Sequence, residues 1–174
     1  MFDFALCSLF AAMTAVCAQL TITLPSLVPI SLSLLPVLLC GALLPVRQSL
    51  LAMGVYLLMA LVGLPVCSGF SGGPAKLFGV TGGFLLGYLP CVTVEAALLR
   101  GRGGWLRCCA AMAAGVVLCY LFGTCWFALT RHCGFGPALS ACVLPFLPFD
   151  AVKIGLAALL SLRLRPVLRH LRPA

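Results

Sequence analysis

The chain has 174 residues, of which 63% are hydrophobic and 8% charged, with a mean hydropathy of +1.22 and a formal net charge of +8. Soluble domains carry about 25% charged residues, so a water-soluble globular fold is excluded and an all-α membrane protein is indicated. The positive charge does not point to nucleic acid: the basic residues sit in short gaps between apolar runs, where Lys and Arg hold loops on the cytoplasmic side of a bilayer.

Spans of about 20 residues would use almost the whole length, which predicts one integral domain. The first helix is expected over about residues 4–22 and is read as retained, because no basic segment or clear cleavage site marks it as a signal peptide. Ala11, Ala15 and Ala18 share one of its faces. Small residues let membrane helices approach closely, and this face suits either a partner subunit or another helix of the same chain. Thr21 to Pro29 forms an uncharged turn, and a short second helix follows at about 30–44, with a kink or tilted start expected at Pro36. A turn at Pro45 to Gln48 leads to a third helix over about 49–62.

Gly63 to Gly83 holds too many glycines and prolines for a helix, yet is too apolar for a plain linker. Such a segment is expected to pack as a lid or a re-entrant loop. Gly72-Gly73 and Gly82-Gly83 would permit close approach of backbone to a ligand, but no Gly-Lys-Ser/Thr follows, so a phosphate loop is excluded. The fourth helix, about 83–99, carries Tyr88 and Glu95. After a basic turn from Arg100 to Arg107, the fifth covers about 108–130 with Tyr120 and Trp126. Arg131 to Leu144 reads as a partly apolar connection, and the sixth helix covers about 148–164.

Six spans put both termini on one side. One face then collects Arg47, Arg100, Arg102, Arg107, Arg163, Arg165, Arg169 and Arg172, against Lys76 and Arg131 on the other, so the termini are expected in the cytoplasm. Eleven cysteines are an odd number, lie mostly in apolar runs and include no Cys-x-x-Cys. They read as small hydrophobes, with no metal site and no cofactor implied.

Only three carboxylates occur, and one, Asp150, stands three positions before Lys153 at the head of the sixth helix. Positions i and i+3 share a helix face, and Pro145 and Pro148 suit a helix start, where a missing N–H does no harm. An acid and a base on an apolar helix are costly unless they pair or meet a polar ligand. Together they suit a neutral ligand that offers N–H groups beside a carbonyl; alternatively the pair only ties the helix to a neighbour. No nucleophile–base–orienter set and no ATPase motif is present, and no ring of like charge suggests a channel, so a binding protein is favoured over an enzyme.

The order of several segments resembles the BioY family, the biotin-specific substrate-binding (S) components of energy-coupling factor (ECF) transporters. They are Phe10-Ala11-Ala12-Met13-Thr14-Ala15-Val16, Ala18-Gln19-Leu20, Val28-Pro29-Ile30-Ser31-Leu32, Gly41-Ala42-Leu43-Leu44 and Gly63-Leu64-Pro65-Val66. Thr81-Gly82-Gly83-Phe84-Leu85-Leu86-Gly87-Tyr88 and Pro145 to Lys153 complete the series. The chain departs from the usual family pattern at Val80, where proline is common, at Ser33, where glutamine is common, and over Gly69 to Ala75.

The resemblance implies an ECF S-component-like bundle of six transmembrane helices in the cell membrane. It would capture biotin from outside and depend on a coupling membrane subunit and two ABC ATPases. It also implies that the pocket is capped by the loop between the first two helices and by the Gly-rich segment. Asp150 would meet the N–H side of the ureido ring and Lys153 its carbonyl. The candidate ligand-binding residues are Asp150, Lys153, Thr81, Gly82, Gly83, Tyr88, Gly73 and Phe70, and Ala11, Ala15 and Ala18 are the candidate partner interface. For the carboxylate of biotin, Lys76, Arg131 and the backbone N–H groups of Gly82-Gly83 are candidates. An S component for another vitamin, or a small intramembrane enzyme or scaffold, is the alternative.

Overall fold

A computed structural model describes residues 2–22, 30–99 and 104–171. Residues 23–29 of the turn before the second helix, Arg100, Arg102 and Arg172 therefore lie outside the described residues. The architecture is helical: α1 (Phe2–Gln19), α2 (Leu34–Leu43), α3 (Val46–Val62), α4 (Pro74–Leu77), α5 (Gly82–Leu86), α6 (Tyr88–Leu98), α7 (Trp105–Arg131), α8 (Phe135–Cys142) and α9 (Leu147–Leu171). A two-residue antiparallel ladder joins β1 (Thr21–Ile22) to β2 (Ile30–Ser31) between α1 and α2.

The innermost element is α2. Seven of its ten residues, Leu34 and Pro36 to Gly41, are buried, because α1, α6 and α9 all pack on it. Pro36 falls in its first turn rather than in its interior, where the lack of an N–H removes no helical hydrogen bond. Leu6, Phe10, Ala11, Thr14 and Ala18 form the inward face of α1, set against α3 and α2. The Thr14 hydroxyl donates back to the Phe10 carbonyl at 2.7 Å, which satisfies a buried polar group without leaving the helix. Ala52, Met53, Tyr56, Cys91, Val92 and Met112 are fully enclosed and join α3, α6 and α7 into the core. All eleven cysteines are free thiols, seven of them buried.

Gly63 ends α3 at φ 98°, a left-handed conformation in which only glycine is unstrained, and its N–H meets the Ala60 carbonyl at 3.2 Å. The Gly-rich segment that follows is folded back on the bundle. Gln19, at the end of α1, donates to the Pro65 carbonyl at 3.0 Å and accepts the Phe70 N–H at 2.9 Å. Within the segment, Pro74 opens α4, a short helix embedded in what reads as irregular from sequence. Beyond it, α5 and α6 are separated only at Gly87, and the Gly87→Gly83 and Cys91→Gly87 backbone bonds carry the helical ladder across the break. The connection after Arg131 is also more ordered than its sequence suggests. Ala138 and Cys142, spaced i and i+4, bury one face of α8 against α7. Among the described residues, Trp105–Arg131 is the one helix long and apolar enough to cross a membrane; Asp3–Gln19, Leu34–Leu43, Val46–Val62 and Gly82–Leu98 are apolar but shorter.

Candidate functional site

At the head of α9, Asp150 and Lys153 are 4% and 7% exposed and form an ion pair at 2.7 Å. The Asp150 N–H bonds the Phe146 carbonyl at 2.9 Å, which fixes the first turn and aims both side chains toward the bundle interior. Each has a second partner from a distant element. The Lys153 ammonium donates to the Ser31 carbonyl on β2 at 2.8 Å. The Tyr120 hydroxyl on α7 donates to the other carboxylate oxygen, Oδ2, of Asp150. A hydroxyl chain continues from the Ser31 side chain to Ser33 at 2.6 Å and from Ser33 to Tyr88 at 2.7 Å. Tyr88 in turn lies against Tyr56, with ring centroids 6.4 Å apart.

This network borders a cavity of about 90 Å³. Leu34, Phe84, Leu85, Cys119 and Phe146 give it an apolar wall; Cys67, Ser68, Lys76 and Thr81 line it from the Gly-rich segment. The remaining hydrogen-bonding capacity is specific. A carboxylate has about four acceptor positions and an ammonium three donors. Asp150 spends one acceptor on Lys153 and one on Tyr120, while Lys153 spends two donors on Asp150 and the Ser31 carbonyl. What is left is acceptor capacity on Asp150 beside one donor on Lys153, a match for a neutral group with N–H next to C=O.

The sequence-predicted site residues divide into two groups. Asp150, Lys153, Thr81 and Tyr88 are brought together around the cavity. Gly82, Gly83, Gly73 and Phe70 do not line it. A Cβ on Gly83 would stand 2.2 Å from the Trp126 Cβ, and one on Gly82 would stand 1.7 Å from the Leu77 carbonyl oxygen. The bareness of these two glycines serves helix-to-segment packing, and the Gly82 N–H is already bonded to the Gly79 carbonyl at 3.0 Å. Gly73 precedes α4 with a positive φ and gives its N–H to Ala60 at 2.7 Å. Phe70 is 75% exposed and is not part of the cavity wall.

The three alanines proposed for a partner face or for internal packing on α1 are not equally placed. Ala11 and Ala18 are 1% and 2% exposed, packed within the chain, and Ala15 is half-buried; the outward positions are Ser8, Leu9, Ala12, Met13 and Val16. The close-approach property of alanine is used internally.

Sequence alone does not assign Tyr120, Ser31 and Cys119 to the site. The one available signal was Tyr120 itself, since a hydroxyl in an apolar helix usually finds a partner when buried. Glu95, fully buried on α6 beside Gly41, lies outside the cavity, and neither of its oxygens has a hydrogen-bond partner among the described residues.

Known proteins share both this sequence and this fold. The chain is 35% identical over 163 residues to a "Probable biotin transporter BioY" of Pyrococcus horikoshii, a match covering 94% of this chain and 96% of that one. It is 32% identical over 157 residues to a "Biotin transporter BioY" of Thermotoga maritima, covering 90% and 92%. The fold superposes with a TM-score of 0.89 on the crystal structure of an S-component for biotin from an ECF-type ABC transporter, at 24% identity, over 94% of this chain and 90% of that one. Residues 1–170 match the BioY family as a whole, and the chain belongs to that family.

Proposed function

We propose that this chain captures biotin at the outer face of the cell membrane, as the substrate-binding subunit of an ECF transporter. The observation that carries this reading is the buried Asp150–Lys153 pair, opening onto an otherwise apolar cavity in a chain that resembles biotin transporters over nearly its full length. The ureido ring of biotin has two N–H donors flanking a carbonyl. Asp150 accepts from the N–H side, and Lys153 gives its remaining hydrogen to the carbonyl. A hydrogen bond to a charged group contributes about 1.5–3 kcal/mol. Two such bonds discriminate against analogues lacking the ring by about two to four orders of magnitude. Thr81 and Tyr88 flank the ring, and the apolar wall takes the sulfur-containing ring and the chain methylenes.

The cavity of about 90 Å³ is smaller than the roughly 300–1,000 Å³ of pockets that enclose drug-sized ligands. The segment between α3 and α5, which lines the cavity through Cys67, Ser68 and Lys76, is the element that would adjust to the cargo. The chain is a binding subunit and not an enzyme. ATP hydrolysis belongs to two partner ATPases, reached through a coupling membrane subunit that meets the outward face of α1. The chain forms a single integral domain crossing the membrane six times, as α1, α2, α3, the α5–α6 pair, α7 and α9, with both termini cytoplasmic. The skew of arginines toward one end of this bundle supports that orientation.

The test is calorimetric titration of biotin into the detergent-solubilised full chain, alongside mass analysis of co-purifying ligand. Saturable one-to-one binding is expected. A well-folded chain that takes up no biotin would refute the reading. Uptake in cells is expected only when the energising partners are co-expressed.

A further inference from the structure

The inward face of α3 is Ser49, Ala52, Met53, Tyr56, Leu57 and Ala60, all buried. Its outward face carries an open groove of about 480 Å³, lined by Arg47, Leu50, Leu51, Gly54, Val55 and Leu58. Gly54 is the notch in that groove, since a Cβ there would meet nothing within 4 Å among the described residues. Internal packing therefore does not require a glycine at this position, although glycine weakens a helix. Docking of another membrane helix does not account for it either. Close helix approach uses small residues in series, and the positions four before and four after Gly54 are Leu50 and Leu58.

The ends of the groove differ. Five of its six lining residues are apolar, and the sixth, Arg47, stands at the start of α3. The Arg47 side chain is exposed and makes no hydrogen bond or ion pair among the described residues. Pro45 occupies the N-cap of α3, and no side chain caps the helix there, so its first-turn N–H groups add to the pull of Arg47 on a phosphate. From Arg47 to Leu58 the helix rises about 17 Å, close to half of a hydrocarbon core of about 30 Å. A cation at one end and an apolar notch one leaflet deep match the two parts of a phospholipid.

We infer that this groove seats an anionic phospholipid, its headgroup phosphate on Arg47 and one acyl chain running over Gly54. A zwitterionic lipid fits the apolar part equally but brings a second cation up to Arg47. The site depends neither on the cargo nor on which leaflet Arg47 faces.

The experiment is native mass spectrometry of the delipidated full chain in detergent, titrated with dioleoyl phosphatidylglycerol and dioleoyl phosphatidylcholine. Wild type is expected to prefer phosphatidylglycerol by about fivefold, the worth of one basic residue at an anionic surface. Arg47→Gln should lose that preference, and Arg47→Lys should keep most of it. Gly54→Leu fills the notch without meeting the rest of the bundle, so it should weaken both lipids and leave the melting temperature no lower than wild type. Arg163→Gln, a change at another exposed arginine, should leave the preference intact. Equal affinity of wild type for the two lipids overturns the inference. So does a preference that survives Arg47→Gln, or one that Arg163→Gln lowers as much, which would mark diffuse surface charge. A dimer that Gly54→Leu abolishes while lipid binding is unchanged would assign the groove to a second copy of the chain and overturn the lipid site.

Discussion

Asp150→Asn separates a binding role for the ion pair from a purely structural one. The two side chains are almost completely enclosed and 2.7 Å apart, so removing one charge strands the other in a low-dielectric setting. Breaking a buried pair in this way costs about 3–5 kcal/mol, and the retained amide oxygen of Asn places this substitution near the lower end. Biotin binding should fall at the same time by about 10- to 100-fold, the worth of one hydrogen bond to a charged acceptor. The double variant Asp150→Asn/Lys153→Met removes both charges. Replacing a whole buried pair with apolar groups is commonly neutral or stabilising, so its melting temperature should return close to wild type. Its biotin affinity should not return, because both ring-binding groups are gone. The assay pairs thermal melting in detergent with calorimetric titration on all four combinations. Recovery of both stability and affinity in the double variant would show that the pair only fastens α9 to its neighbours, and the site assignment would be refuted.

Tyr120→Phe deletes the donor to Asp150 Oδ2 and should lower the stability of the isolated chain by about 1.5–3 kcal/mol, read as a clear drop in melting temperature; an unchanged melt would mean that bond contributes nothing. Gly83→Ala forces a methyl to within 2.2 Å of the Trp126 Cβ, part of a helix that cannot easily retreat, and overpacking of this kind costs about 1–3 kcal/mol. For Gly123→Ala the nearest atoms belong to the Phe84 ring, a side chain that can turn, so its melting temperature should fall less than that of Gly83→Ala. Ala11→Leu should destabilise the isolated chain in detergent, whereas Ala12→Leu, on the outward face, should leave biotin binding intact and reduce partner-dependent uptake. The reverse pattern would return the partner interface to the inner alanines.

How much of the site was legible in the sequence follows from what each residue needs to be recognised. Asp150 and Lys153 stand out because carboxylates are so scarce, and a helix brings positions three apart together without any tertiary information. Tyr120 and Ser31 come to the same pair from 30 and 122 positions away, a proximity that only the packing of α7 and β2 around α9 creates. The glycines illustrate another limit. A sequence shows that a backbone can be approached closely, but not by what: at Gly83 the neighbour is Trp126 rather than ligand. The alanines of α1 are ambiguous for the same reason, since small size signals contact without naming the partner. Helical periodicity likewise indicates a face, and only the assembled bundle tells whether that face looks inward.

The position where α2 begins links fold to function most directly. Sequence suggests a helix from about residue 30, but the observed one starts at Leu34 and is ten residues long, about 15 Å against a hydrocarbon core of about 30 Å. A helix so short covers only about half of that thickness, and α1, α6 and α9 pack around it. Its brevity leaves space above Leu34, and the cavity occupies that space, bordered by Leu34 and Ser31. The late start has a second effect. Inside a helix the Ser31 carbonyl would accept the N–H of residue 35, but the Leu35 N–H instead bonds Leu32 at 3.0 Å. The Ser31 carbonyl is thereby left for Lys153, which takes it at 2.8 Å. The few residues diverted from α2 into β2 and the turn after it thus supply both room for a ligand and the acceptor that aims Lys153 at it. A sequence-based helix starting at Ile30 would have filled the pocket with backbone and left the ammonium of Lys153 one partner short.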